Sequence, residues 1–138
     1  MKRALLPLLA ALVLASSAPV LADGDGGSLL VGTNWQLTSL AGTPSADGVK
    51  STLQIAGDGM VSGNGGCNGY GGSATIDGSA LTFSQMRSTM MACGDAAMQQ
   101  EHGLLTSLET VRSYSIAGNT LELHDAGGAT VATFAAAQ

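Results

Sequence analysis

The chain has 138 residues, which fits one domain once any leader is removed, and it carries a formal net charge of −5. Beyond residue 22 the basic residues are Lys50, Arg87 and Arg112, set against ten scattered carboxylates. Nucleic acid and anionic membrane surfaces require clustered Lys and Arg to neutralise phosphate, so both are excluded as partners, and the dispersed acidity reads as a solubility feature.

Lys2 and Arg3 open the chain, an apolar run follows from Ala4 to Ala15, and small residues lead to Val20 and Ala22. This is the layout of a secretory signal peptide over residues 1–22, with cleavage expected after Ala22. The run falls short of the roughly 20 apolar residues a membrane-spanning helix needs; an uncleaved N-terminal anchor is the alternative. No cysteine follows it, so no lipid anchor is indicated. The expected location is the periplasm or the outside of the cell. Residues 23–28 are rich in Gly and Asp and read as a flexible leader, which leaves 29–138 as the domain.

Within the domain, short alternating segments are separated by Asp47-Gly48, Asp58-Gly59, Asp77-Gly78, Gly118-Asn119 and Gly127-Gly128, pairs that tolerate the positive φ of tight reversals. Trp35/Leu37, Leu53/Ile55, Leu81/Phe83 and Leu121/Leu123 show the two-residue period of half-buried strands. Strands are expected near 34–40, 50–56, 59–63, 72–77, 80–84, 111–117, 119–124 and 129–134. The fold class is mainly β: a single antiparallel sheet of about eight short strands, curled toward a barrel, with one packed helix over 95–110. In that helix Met98, Leu104, Leu105, Leu108 and Val111 recur as on one face, and Asp95 is the expected N-cap. Glu101 and Glu109 read as solvated carboxylates on the polar side.

Cys67 and Cys93 are the two cysteines of the chain, and export places them where paired thiols oxidise. A disulfide closing that loop should contribute about 3–4 kcal/mol by restricting the unfolded chain. A reactive thiol is the rival reading.

Two stretches are distinctive: Gly65-Gly66-Cys67-Asn68-Gly69-Tyr70-Gly71-Gly72, and Leu81-Thr82-Phe83 leading to Arg87-Ser88-Thr89-Met90-Met91-Ala92-Cys93. With the Trp35-Gln36-Leu37 strand before them and Glu101 in the helix after them, they resemble the META domain of HslJ-type proteins over about residues 33 to 134. The resemblance implies a barrel-like antiparallel fold with a packed helix, often an envelope location, a link to stress or antibiotic tolerance, and no assigned enzymatic activity. The turn after Cys67 is richer in Gly than that pattern leads one to expect, which suggests a mobile loop.

Clustered backbone N–H groups in the Gly-rich loop could cradle phosphate, but the following segment reads as a strand, where nucleotide fingerprints need a helix. His102 and His124 lie in no recognisable hydrolase or zinc pattern, so no catalytic residue, metal or cofactor is assigned. Met86, Met90, Met91 and Met98 with His102 could suit Cu(I), although Met more often fills gaps in a core. The expectation is a monomeric, non-enzymatic exported protein acting by binding or structural support on an unidentified protein or small molecule. Alternatives are a secreted inhibitor of a hydrolase such as a lysozyme or protease, and a small-ligand binder at the barrel mouth. The candidate binding residues are Asn68, Tyr70, Arg87, Met90 and Met91, which a Cys67–Cys93 link would bring together; the rival is that they only pack the barrel end.

Overall fold

Alternation of apolar and polar side chains gives each strand an inner face, and the computed structural model, which describes residues 29–137, folds those faces around a common core. The expected signal peptide (1–22) and leader (23–28) lie outside the described residues. The elements are β1 (Trp35–Leu40), β2 (Thr43–Pro44), β3 (Thr52–Ile55), β4 (Met60–Asn64), β5 (Gly69–Asp77) and β6 (Ala80–Phe83). After them come β7 (Arg87–Ser88), α1 (Asp95–Leu108), β8 (Ser113–Ala117), β9 (Thr120–His124) and β10 (Thr130–Ala136). The eight expected strands and the helix are present. Two-residue β2 and β7 are additions, too short to show any period.

Among the described residues ten strands form one antiparallel sheet: nine follow the order β10-β9-β8-β6-β5-β4-β3-β1-β2, β7 pairs with β5 off that path, and β10 also pairs with β1. The sheet therefore closes on itself. Its seams are uneven: β1 meets β10 over five residue pairs, whereas β6 meets β8 through Ala80 and Ser113 alone. The result is ring-like rather than a barrel. Hairpins β5–β6 and β8–β9 turn through Gly78-Ser79 and Gly118-Asn119, with Gly78 at φ 61° and Gly118 at φ 59°. Gly ahead of a small polar residue is the composition of type II′ turns, whose twist matches that of the strands they join.

Trp35, Leu37, Leu53, Ile55, Val61, Leu81, Leu121, Leu123 and Phe134 are buried inside the ring, and Leu104 and Leu108 of α1 join them. The helix stands over one end. Gly103 lies against Leu40 at the end of β1, Gln100 bonds Ser51 just before β3, and Glu101 bonds Cys67 and Asn68 just before β5. In an antiparallel ring those three strand termini share one end. Leu30, fully buried, covers the other end: its carbonyl accepts the Trp35 indole N–H at 3.1 Å, and the adjoining Val31 bridges to Ile55.

Asp95 is not the N-cap. Gly94 occupies that position with extended backbone (φ −61°, ψ 160°) and no side-chain cap bond, so Asp95 acts only as a carboxylate in the first turn, where the helix dipole favours it. Among the described residues no helix is long and apolar enough to cross a membrane.

Candidate functional site

The end of the ring under α1 is built around a buried carboxylate. Glu101 is 6% exposed, so the expectation that it is solvated fails. The cause is local: Gly65 presents no side chain, and a Cβ there would stand 2.5 Å from Glu101 Cγ. The bare backbone lets Glu101 reach in. Its Oε1 accepts the Cys67 N–H at 3.1 Å and the Asn68 N–H, while Oε2 accepts an Asn68 side-chain N–H at 2.7 Å. Burial alone would raise the Glu101 pKa, but these hydrogen bonds, first from the Asn68 side chain and then from the two backbone groups, hold it below the ordinary 4.5. The loop does cradle an anion, as clustered N–H groups do, and that anion is the protein's own side chain.

Next to Glu101 along α1, Gln100 is 8% exposed; its oxygen accepts Ala46 N–H at 2.7 Å and its amide donates to Ser51 Oγ at 2.8 Å. Ser51, fully buried, donates in turn to Gly65 C=O at 2.7 Å. Among the described residues no buried side-chain polar atom lacks a partner. Neither Gln100 nor Ser51 stands out in the sequence; Glu101 was visible there only as the helix Glu of the family pattern.

Asn68, 2% exposed, passes this order on to the next segment. With its amide N–H groups turned to Glu101 Oε2 and to Met91 C=O (3.3 Å), its Oδ1 accepts Met91 N–H at 2.7 Å and the Thr89 hydroxyl at 2.8 Å. The segment starts as β7, where Ser88 and Arg87 pair with Tyr70 and Gly71 of β5, and continues through a Thr89 N–H bond to Gly69 C=O at 3.1 Å. It then runs without a turn or bend to Cys93, which is bonded to Cys67 with a Cα–Cα distance of 5.9 Å. Both flanks of Met90 are thus tied down. Met90 itself is 92% exposed and Met91 57%.

The five candidate binding residues consequently divide. Asn68 and Tyr70 face inward: the Tyr70 hydroxyl donates to Thr52 C=O at 2.6 Å, and burial raises its pKa above the ordinary 10.0. Arg87, Met90 and Met91 are exposed on β7 and the segment after it. The Gly-rich stretch expected to be mobile is the first part of a nine-residue strand, β5. Two of its glycines answer to close neighbours: a Cβ at Gly71 would stand 3.1 Å from Val61 O, and one at Gly72 would meet Met86 Sδ at 2.7 Å and Ser84 Oγ at 2.9 Å. Beside it, Met60, Gly71, Gly72, Ser84, Met86 and Arg87 line an open groove of about 860 Å³. Met86 packs against the core, whereas Met90, Met91, Met98 and His102 are exposed.

One hydroxyl–imidazole pair resembles hydrolytic machinery. Ser115 Oγ lies 3.1 Å from His124 Nε2, whose Nδ1 is 3.2 Å from Thr130 Oγ1. In the Ser-His-Asp arrangement a buried carboxylate orients the imidazole and stabilises its imidazolium. Thr130 offers a neutral hydroxyl, and the neighbouring Asp125 is engaged in capping its own turn through Gly127 and Ala129 N–H. The trio is a cross-strand polar ladder on β8, β9 and β10.

Comparison with known proteins agrees with this architecture. An NMR structure of a protein from Burkholderia xenovorans superposes with a TM-score of 0.66 at 27% identity, covering 91% of this chain and 97% of that one. A second NMR structure matches with a TM-score of 0.64 at 21% identity over 79% of this chain and 92% of the other. The crystal structure of a DUF4847 family protein from Bacteroides vulgatus ATCC 8482 shares the fold at 14% identity, with a TM-score of 0.59 over 78% of this chain and 94% of that one. No curated protein matches the sequence. The family model of the META domain matches residues 28–138, and the chain belongs to the META-domain family.

Proposed function

We propose that this protein is an exported META-domain protein that works in the bacterial envelope by binding a partner rather than by catalysis, and that the segment from Arg87 to Cys93 is its contact surface. The observation that carries this reading is the pairing of Met90 and Met91, the former 92% exposed, with the buried framework beneath them. Leaving a large apolar side chain in water forgoes about 1.5–3 kcal/mol of burial. A disulfide, an ionised Glu101 and the fully bonded Asn68 amide together immobilise a strip of chain that adds nothing to the core. Rigid loops on a rigid scaffold are where recognition concentrates, because ordering entropy has been lost before binding. The other surface considered, a small-ligand site at the ring mouth, would require α1 or Leu30 to move, since each covers one end.

Signal-peptide layout, a disulfide and family membership support an envelope setting, and with it a contribution to stress or antibiotic tolerance. The test is complementation. Cells lacking the protein should be more sensitive to an envelope-directed antibiotic, and the wild-type chain should restore tolerance. The Met90→Asp/Met91→Asp double variant should not, while reaching the periplasm folded and at equal abundance. Full rescue by that variant would exclude the segment as the working surface.

A further inference from the structure

Resting on that reading of the Arg87–Cys93 surface, we infer that the segment is a substrate-like inhibitory loop, which enters the active-site cleft of a serine endopeptidase and offers Met90 to its primary specificity pocket. Four observations converge on this partner. First, the backbone from Thr89 to Gly94 runs without a turn or bend, and peptidase clefts take their substrates extended, pairing them by main-chain hydrogen bonds as an added strand. Second, nothing among the described residues bonds the N–H or C=O of Met90, so both groups are available for that pairing. Third, the residues on either side are fixed. Thr89 is held by Gly69 C=O and by Asn68 Oδ1, Met91 by both atoms of the Asn68 amide, and Cys93 by Cys67.

That third feature separates an inhibitor from a substrate. After attack at the Met90–Met91 bond the leaving amine would stay hydrogen-bonded to Asn68 and tethered by the disulfide, so it cannot diffuse away and religation competes with hydrolysis. The fourth observation is the side chain at the apex. Met90, unbranched, apolar and 92% exposed, fits a deep apolar pocket and not one built around a carboxylate for Lys or Arg.

The experiment follows from the role given to Met90. The purified disulfide-bonded protein is assayed against chymotrypsin, whose primary pocket is apolar, and trypsin, whose pocket demands a cation. Wild type should inhibit chymotrypsin competitively and remain largely uncut, with trypsin unaffected. Met90→Lys should weaken chymotrypsin inhibition at least tenfold and create inhibition of trypsin, and Asn68→Ala should convert the inhibitor into a cleaved substrate. Thermal melts check folding; Met90→Lys, at an exposed position, should melt as wild type does. Absence of chymotrypsin inhibition together with no gain against trypsin overturns the inference, as does rapid cleavage at Met90–Met91 without inhibition. If the inference fails in this way while Met90→Asp/Met91→Asp still abolishes complementation, the contact surface stands and its partner is of another class.

Discussion

Glu101 shows how one side chain can organise a strip of surface. It sits in α1, satisfied by three N–H groups from Cys67 and Asn68. Glu101→Gln keeps the shape but exchanges a charged acceptor for a neutral one and turns an N–H group toward donors, so it should lower stability by about 1.5–3 kcal/mol in urea denaturation. The pH dependence has a definite sign. A carboxylate whose pKa is lowered by folding adds stability that is complete above its unfolded value, near 4.5, and is lost as pH falls through the lower folded value. The gap between wild type and Glu101→Gln should therefore be constant near neutrality and narrow below about pH 4.5. A gap that widens on acidification would mean that Glu101 is not held as an anion. Nothing in the helix pattern shows this burial, because a carboxylate among apolar spacings reads as the solvated face. The available clue was Gly65-Gly66: paired glycines mark a close approach without saying what approaches.

At the scale of elements, sequence patterning succeeded where segments are long enough to show a period. β1, β9 and α1 are legible from Trp35/Leu37, Leu121/Leu123 and the Leu104/Leu108 face, since each buries a stripe at its own period. The start of β5 was not, because Gly69, Gly71 and Gly72 disfavour strands in isolation, and only the close approach of Val61 to Gly71 and of Met86 to Gly72 explains the last two. The same holds for β7, two residues that pair because the disulfide returns the chain beside β5. That covalent link should dominate the stability of this end. Reduction, or the Cys67→Ser/Cys93→Ser pair, should cost about 3–4 kcal/mol and lower the melting temperature by about 10 °C or more. Thermal melts with and without reductant check this, and equal midpoints would show that the crosslink is not a structural constraint.

For the whole molecule, closure of the sheet makes a rigid frame with its apolar side chains inside, α1 over one end and Leu30 over the other. What remains for interaction is outside, and there the chain exposes two adjacent methionines on a segment braced by Asn68 and the disulfide. The composition could place Met90 and Met91 near the disulfide, but their exposure depends on Asn68 turning inward beneath them, a matter of three-dimensional packing. Rigidity without burial is the property on which both the contact surface and the inhibitory role depend. Backbone ¹⁵N relaxation of Met90 and Met91 measures it directly. Order parameters of about 0.85, typical of rigid backbone, are expected at both residues in the wild type, falling toward about 0.6 in Asn68→Ala. Values near or below about 0.6 in the wild-type, disulfide-bonded protein would contradict the account, because an already mobile loop would gain nothing from the framework beneath it.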